Sequence, residues 1–187
     1  MQLKGKRIAV LAEDGYEDLE LWYPVYRFRE AGADVAILGT GAERYSGKHG
    51  YEVVVERAVG AVDPGAFDIL LIPGGRAPAK LREHAEVLDF VRKFNEQGRL
   101  IAAICHGPQV LASAGVLKQR KLTSYPGIQA ELEQAGAEWV DEEVVHEGNL
   151  ITSRKPDDLP AFCRDVIGAN VDVGESSVPV DKGVRYY

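Results

Sequence analysis

The residues with the clearest chemical potential are Cys105 and His106, which are adjacent in the stretch AICHGP. This stretch follows the apolar run LIAAI and precedes a helical pattern, so the thiol stands where a buried strand turns into a helix. A thiol in that place can serve as a nucleophile if the turn exposes and ionises it. The structural alternative is a small apolar side chain that completes the strand, because free cysteine is among the most buried residue types.

The residues around Cys105 have the pattern of a nucleophile elbow. A strand that reverses sharply into a helix brings the residues two before and two after the turn into contact, and here both are small, Ala103 and Gly107. Pro108 suits the first helical turn, where its missing N–H is not needed. Thiols at helix N-termini have pKa values of roughly 3.5 to 7.5, against about 8.5 for free cysteine, so we expect a thiolate at neutral pH.

The second cysteine, Cys163, lies in DDLPAFCRDVIG, where apolar residues repeat at helical spacing. We therefore expect an inert core thiol there. Two cysteines in 187 residues do not make a disulfide framework, which favours free thiols in a reducing compartment and a cytoplasmic location.

Short aliphatic runs alternate with longer helical patterns along the chain. Several of the short runs are apolar at successive positions, which predicts a parallel sheet with helices on both faces. The predicted strands are residues 7–13, 33–39, 68–74, 99–104 and 121–125. The predicted helices are residues 17–31, 78–97, 107–115, 127–135 and 157–168. Residues 41–60 predict a small strand or hairpin addition, and residues 137–154 two or three short strands.

Polar turns follow three of the predicted strands, with the sequences EDGYED, IPGGRAP and AICHGP. In an open, doubly wound sheet, ligands bind in the crevice at the carboxyl ends of the parallel strands. We therefore expect these three turns to converge at one site.

Composition limits the classes of function. The hydrophobic share of 45% suits one compact domain, residues 1–169, followed by an extended tail, residues 170–187. The formal charge of −7 and the lack of a Lys/Arg cluster argue against a dedicated nucleic-acid partner. No apolar run approaches the roughly 18 to 20 residues that a membrane span needs. No metal-ligand spacing and no nucleotide motif is present, so we expect no metal and no cofactor.

Several motifs resemble the ThiJ/PfpI family, in register over residues 6–169. That family includes protease I-like proteins, bacterial general stress proteins and protein deglycases. The resemblance implies a flavodoxin-like, doubly wound α/β fold like that of class I glutamine amidotransferases, with a cysteine at the nucleophile elbow. The motifs are AICHGPQVLASAGVLKQRKLTSYPGI, FDILLIPGGRAP, GYEDLELWYP, GKHGYEV and LITSRKPDDLPAF.

The resemblance assigns Cys105 as the nucleophile and His106 as the histidine that follows it. It implies that Glu17 is the acid whose carboxyl group lies against the sulfur, where a protonated carboxyl group would stabilise the thiolate. Asp18 and Glu20 compete for that role, but both suit the first turn of a helix, where the dipole favours carboxylates. The imidazole of His106 is either a general base or only the neighbour of a backbone donor.

The resemblance also implies an oxyanion hole made by backbone N–H groups of Gly74, Gly75 and His106. Tyr125 and His49 match family positions near the pocket, and each either lines the site or packs beside it.

Three functions are compatible with this set of residues. The first is a cofactor-independent deglycase or glyoxalase III, in which the Cys105 thiolate attacks methylglyoxal or another reactive carbonyl, or its adduct with an amine or thiol. The second is a cysteine peptidase, although Ala79 replaces an acidic residue that a neighbouring subunit contributes in peptidase-like members. The third is a redox-sensing or chaperone-like stress protein that uses the same sulfur. The resemblance further implies a homo-oligomer.

Overall fold

The structure, a computed structural model, describes residues 1–169, and the predicted tail, residues 170–187, lies outside the described residues. Within residues 1–169 the chain forms eleven strands and six α-helices. The strands are β1 Arg7–Leu11, β2 Asp34–Gly39, β3 Arg44–Ser46, β4 Glu52–Val54, β5 Arg57–Ala58, β6 Ile69–Ile72, β7 Leu100–Ile104, β8 Lys121–Leu122, β9 Glu138–Trp139, β10 Val144–Glu147 and β11 Leu150–Ser153. The helices are α1 Asp18–Glu30, α2 Ala77–Leu81, α3 Ala85–Glu96, α4 Pro108–Ala114, α5 Gln129–Gln134 and α6 Leu159–Gly168.

Seven strands form the main sheet, in the order β10-β11-β7-β6-β1-β2-β5. Every neighbouring pair is parallel except β10 and β11, which are antiparallel at one edge. The parallel strands β1, β2, β6, β7 and β11, renumbered in chain order, are arranged 2-1-3-4-5, which is the flavodoxin-like order. The predicted fold class is confirmed.

The central strands are covered on both faces, because β6 is buried at all four positions and β7 at four of five. Among the helices, α1 packs against α6 and α3 packs against α4. Within residues 1–169 no helix is both long and apolar enough to cross a membrane.

The prediction of one helix over residues 78–97 is wrong, because the chain breaks between α2 and α3. His84 has an extended backbone with φ −93° and ψ 114°, and the N–H of His84 bonds to the carbonyl of Leu81. The break allows Leu81 and Val87 both to face the core, which one continuous helical period would not do.

The predicted strand 121–125 does not join the main sheet. Only Lys121–Leu122 is extended, as β8, and it pairs with β9 in a separate two-stranded sheet. The place beside β7 is taken by β11, which is buried at all four positions. The chain after β8 instead turns towards the elbow, where the N–H of Tyr125 bonds to the carbonyl of Cys105 at 3.0 Å.

Candidate active site

The chain forms an elbow at Cys105, as the small residues Ala103 and Gly107 predicted. Cys105 has a φ of +60°, a strained value for a residue other than glycine that suits a nucleophile elbow. The N–H of Gly107 bonds to the carbonyl of Ile104 at 2.8 Å, which closes the turn. A Cβ atom on Gly107 would lie 2.4 Å from the carbonyl oxygen of Ile72, so this position has no room for a side chain.

The carboxyl group beside the thiol belongs to Glu20, not to the predicted Glu17. Glu20 is fully buried, and its Oε2 accepts a 2.8 Å bond from the N–H of Gly74. Its Oε1 is also buried and has no hydrogen-bond partner of ordinary geometry. A Cβ atom on Gly74 would meet both Glu20 Oε2, at 2.5 Å, and the Cβ of Cys105, at 2.7 Å, so the two side chains lie against the same glycine. Burial raises the pKa of Cys105, and the charge of Glu20 raises it further. The prediction for Glu17 is therefore corrected.

Glu17 lies one helical turn further out, at the cap position of α1. Its Oε2 is 3.5 Å from Nζ of Lys48 and 3.5 Å from Nε2 of His49, so its carboxylate faces the loop of residues 47–51. The N–H of Glu17 bonds to the carbonyl of Gly74 at 3.1 Å. This bond fixes the start of α1 against the PGG turn, residues 73–75. Glu17 thus borders the site without holding the sulfur.

The sequence carried a signal for Glu20. The buried residues of α1 include Leu21, Pro24, Val25 and Phe28, and Glu20 shares their face of the helix. A carboxyl group on the buried face of a helix is costly unless it is neutral or paired. The buried face of α1, rather than the helix dipole, therefore accounts for the position of Glu20.

Cys105 and Glu20 titrate as an interacting pair. Burial raises the pKa of Glu20 to about 8 and, together with the Glu20 carboxylate, raises the pKa of Cys105 to about 12. The charge of each group opposes ionisation of the other, so the pair keeps both protons until the pH approaches 8. Burial therefore opposes the free thiolate that the elbow was expected to hold at neutral pH.

Two backbone N–H groups, those of Gly75 and His106, are directed at the sulfur and counteract part of this rise in pKa. The third predicted donor, Gly74, is already bonded to Glu20, which leaves Gly75 and His106 as the candidate donors of an oxyanion hole. Gly74 has no room for a side chain either. A Cβ atom there would lie 2.5 Å from Glu20 Oε2 and 2.7 Å from the Cβ of Cys105.

The imidazole of His106 reaches the sulfur. Its Nδ1 lies 3.3 Å from Sγ of Cys105, and its ring stacks on Tyr125 with centroids 4.7 Å apart. Burial, followed by the charge of Lys48, lowers the pKa of His106. The ring is therefore neutral at pH 7, with one nitrogen available as a proton acceptor.

The site opens into a cavity of about 530 Å³ at the carboxyl ends of the central strands. The three turns expected to converge do so, because Glu17, Gly75 and Cys105 all line it. Tyr125 lines the cavity, whereas His49 lies behind Glu17 and does not. The remaining lining residues are Glu20, Lys48, Arg76, Ala79, His106, Gln109, Lys155 and Pro156.

Donor atoms of Glu17, Asp18 and His49 lie within 4.8 Å of one another, a grouping that sequence spacing could not show. The two carboxylate oxygens of Asp18 accept the N–H groups of His49 and Tyr51, at 2.8 and 3.0 Å. The Lys48 ammonium lies 3.5 Å from the same Glu17 oxygen that His49 approaches, and its charge disfavours a second cation. The group is explained by its role in holding the loop of residues 47–51.

Comparison with known families decides the identity of the fold. Residues 6–169 match the model of the DJ-1/PfpI family. The chain belongs to this family. The resemblance to ThiJ/PfpI proteins seen in the sequence is thereby confirmed over nearly the whole described chain.

Two curated relatives and one solved structure illustrate the match. A deglycase of Thermococcus kodakarensis is 47% identical over 161 residues, which are 86% of this chain and 97% of the relative. Protein/nucleic acid deglycase 2 of Escherichia coli is 44% identical over 166 residues, covering 87% of this chain and 96% of the relative. The crystal structure of Drosophila melanogaster DJ-1beta matches with a TM-score of 0.84 and 32% identity, over 89% of this chain and 90% of that one.

Proposed function

We propose that this protein is a cofactor-independent deglycase of the glyoxalase III type, in which Cys105 attacks methylglyoxal, a related aldehyde, or an adduct of one with an amine or thiol. The observation that carries the proposal is the contact of one sulfur with Glu20 on one side and His106 on the other, at the floor of a cavity. Relatives named as deglycases, at 47% and 44% identity, support it.

The first step is addition of the thiol to the aldehyde carbon. The sulfur forms a bond to carbon, the C=O π pair moves to oxygen, and the thiol proton passes to Nδ1 of the neutral His106, 3.3 Å away. The N–H groups of Gly75 and His106 lie against the sulfur and can bind the adjacent oxyanion. The oxygen then recovers the proton, which gives a hemithioacetal.

The second step is a proton shift within the hemithioacetal. Because the pKa of Glu20 is about 8, a minor share of it is ionised at neutral pH, and this carboxylate takes the proton from C1 and returns it to C2. The proton of the C1 hydroxyl group passes to the oxygen on C2 in the same step. The product is a thioester of a 2-hydroxy acid. Water hydrolyses the thioester, which releases lactate from methylglyoxal and restores the thiol, so that the sum is methylglyoxal plus water to lactate.

Lactate formation from methylglyoxal by Cys105→Ser, Glu20→Gln and Glu17→Gln variants tests this scheme. We expect losses on the order of 10²-fold or more for the first two, and a small change for Glu17→Gln, the matched control one helical turn away. No lactate from the wild-type protein, or equal losses for Glu17→Gln and Glu20→Gln, would contradict the scheme.

A peptidase is the second candidate, favoured by the contact between His106 and Cys105. Ala79 lines the cavity where peptidase-like members have an acidic residue, so no carboxylate is supplied from that position. Cleavage of a fluorogenic peptide that depends on Cys105 would support this candidate.

A redox-sensing or chaperone-like role for the same sulfur is the third candidate. A raised thiol pKa lowers the share of thiolate, which is the species that peroxide oxidises, so the site favours this role less. A mass gain of about 32 Da at Cys105 after mild peroxide treatment, without turnover of either substrate, would support it.

We also propose a homo-oligomer in the cytoplasm. The exposed side chains of Leu19, Tyr26 and Tyr51 lie beside Trp22 around a cavity of about 440 Å³, an apolar patch suited to a second copy of the chain. The free thiols of Cys105 and Cys163 suit a reducing compartment. Light scattering of the wild-type protein and of Tyr26→Ser tests the oligomer, which we expect the substitution to weaken.

A further inference from the structure

Three cationic side chains from separate segments line the cavity around Cys105. They are Lys48 in the loop of residues 47–51, Arg76 in the turn after β6, and Lys155 before the short turn that precedes α6. The whole chain has a formal charge of −7, so a cluster of cations is not a general property of its surface. The concentration of positive charge around this cavity therefore requires a local explanation.

The cations are only partly neutralised. The lining has one carboxylate that is fully ionised, Glu17, which pairs with Lys48 at 3.5 Å, since Glu20 with a pKa of about 8 is mostly protonated at neutral pH. Lys155 pairs with Asp157 at 3.3 Å, but the side chain of Asp157 is 83% exposed and such a pair is weak. Three cations against the one carboxylate, Glu17, leave the lining with a formal charge of +2.

Arg76 is the clearest member of the group. Its N–H bonds to the carbonyl of Gly15 at 2.8 Å, and its side chain runs over Gly15, where a Cβ atom would lie 3.1 Å from the Cβ of Arg76. Packing thus positions the side chain. No carboxylate within residues 1–169 pairs with its guanidinium group, so the planar donors that suit a carboxylate are available at the cavity.

Lys48 connects this rim to the reacting groups. Its charge acts on both Glu20 and His106, so its ammonium group lies within electrostatic reach of the Cys105 sulfur's two neighbours. An anionic group bound between Lys48 and Arg76 would therefore lie close to a carbonyl bonded to the sulfur.

We propose that Lys48, Arg76 and Lys155 form an anion-binding rim. Through this rim the enzyme selects carbonyl adducts that carry a carboxylate near the reacting carbon, such as adducts of free amino acids or of thiols that bear a carboxylate. Adducts of neutral amines and thiols are disfavoured. The identity of the reacting carbonyl rests on the proposed function. The charge selectivity of the site does not, because it follows from the rim alone.

The rate of alkylation of Cys105 reports the electrostatic potential that the rim creates, and it does not depend on enzymatic turnover. Iodoacetate and iodoacetamide carry out the same reaction at sulfur and differ by one negative charge, so the ratio of their rate constants reports the local potential. Cys163 is fully buried, and intact-mass analysis of Cys163→Ser protein isolates the signal of Cys105. We expect the ratio to exceed that of a small free thiol at the same pH by on the order of tenfold at low salt, and to fall as salt screens the rim.

Substitutions of the rim residues test whether their charges cause the raised alkylation ratio. Arg76→Gln and Lys155→Gln should each lower the alkylation ratio about threefold, whereas Lys80→Gln should leave it unchanged. Lys80 is the matched control because it follows Arg76 by four residues, pairs with Asp14 at 3.9 Å and does not line the cavity. A wild-type ratio equal to that of the free thiol, or one that Arg76→Gln does not alter, would overturn the proposal.

Turnover separates this proposal from the proposed function. The methylglyoxal adduct of N-acetylcysteine, which has a carboxylate, is compared with that of N-acetylcysteine amide, which is neutral. We expect a higher kcat/KM for the anionic adduct and loss of that preference in Arg76→Gln. No turnover of either adduct together with a raised alkylation ratio would refute the deglycase function and leave the rim standing, whereas equal turnover of both with an unraised ratio would refute the rim alone.

Discussion

The carboxyl group of Glu20 lies beside the thiol of Cys105, fully buried and bonded to the N–H of Gly74. Helix α1 supplies the carboxyl group, and the elbow after β7 supplies the thiol. The N–H of Gly74, in the PGG turn, bonds to the carboxyl oxygen. The acid and the nucleophile are thus fixed by backbone geometry as much as by their side chains.

Removal of the buried acid should change how stability depends on pH. Glu20 has a pKa near 4.5 when unfolded and about 8 when folded, so between these values the unfolded chain binds fewer protons and stability falls as pH rises. The full effect is roughly 5 kcal/mol. We expect the free energy of unfolding in urea to fall between pH 5 and 8 in wild type and to stay nearly level in Glu20→Gln.

Glu17→Gln is the control for this stability experiment, because Glu17 faces Lys48 and His49 rather than the buried interior. It should keep the wild-type dependence on pH. A wild-type protein whose stability is constant from pH 5 to 8 would show that Glu20 is not held protonated.

The reactivity of Cys105 should increase with pH through the first ionisation of the pair. Because the pair loses its first proton near pH 8, the rate of alkylation by neutral iodoacetamide should rise about tenfold per pH unit below that value and then level. Glu20→Gln leaves a single titrating group, so the inflection near 8 should disappear. A rate already level from pH 5 upward would instead indicate a thiolate at neutral pH.

Gly74 should not tolerate a side chain. An added Cβ would meet Glu20 Oε2 and the Cβ of Cys105 at 2.5 and 2.7 Å, so Gly74→Ala must displace the acid, the nucleophile or the strand end. We expect a loss of about 1 to 3 kcal/mol in thermal or urea unfolding, and loss of Cys105-dependent turnover.

Gly168→Ala is the matched control for Gly74→Ala. Gly168 is the last residue of α6, and its added Cβ would meet no atom within 4 Å. Alanine favours helix there, so stability should stay level or increase slightly. Equal effects of the two substitutions would contradict the close approach at Gly74.

Much of this site could be predicted from local sequence, and the misses share one cause. Ala103 and Gly107 identified the elbow because the chain's own sterics demand small residues at those two places. The parallel sheet with helices on both faces followed from apolar runs of strand length, whereas its flavodoxin-like class was implied by the family resemblance. Both inferences depend only on neighbouring residues, which the sequence displays directly.

The misses depended on contacts between distant segments. The apolar period of α1 places Glu20 on the buried face of the helix, but the segment that this face meets, the PGG turn 54 residues away in the chain, is set by the fold. The raised pKa of Cys105 depends mainly on burial, which is a property of the assembled fold. The exclusion of β8 from the main sheet likewise followed from β11 being the more apolar competitor for the edge of β7.

The stacked ring of Tyr125 should control the protonation of His106. Burial is the main cause of the lowered pKa of His106, and Tyr125 covers the imidazole face with centroids 4.7 Å apart. Tyr125→Ala exposes the ring to water, so its pKa should rise towards the ordinary value of about 6.5. NMR titration of isotope-labelled histidine follows this shift directly, and the acidic limb of the kcat/KM profile should move upward with it, because the general base must be neutral. Tyr125→Phe keeps the stacked ring and should retain the wild-type titration, whereas an unchanged pKa in Tyr125→Ala would show that other walls of the site bury the imidazole.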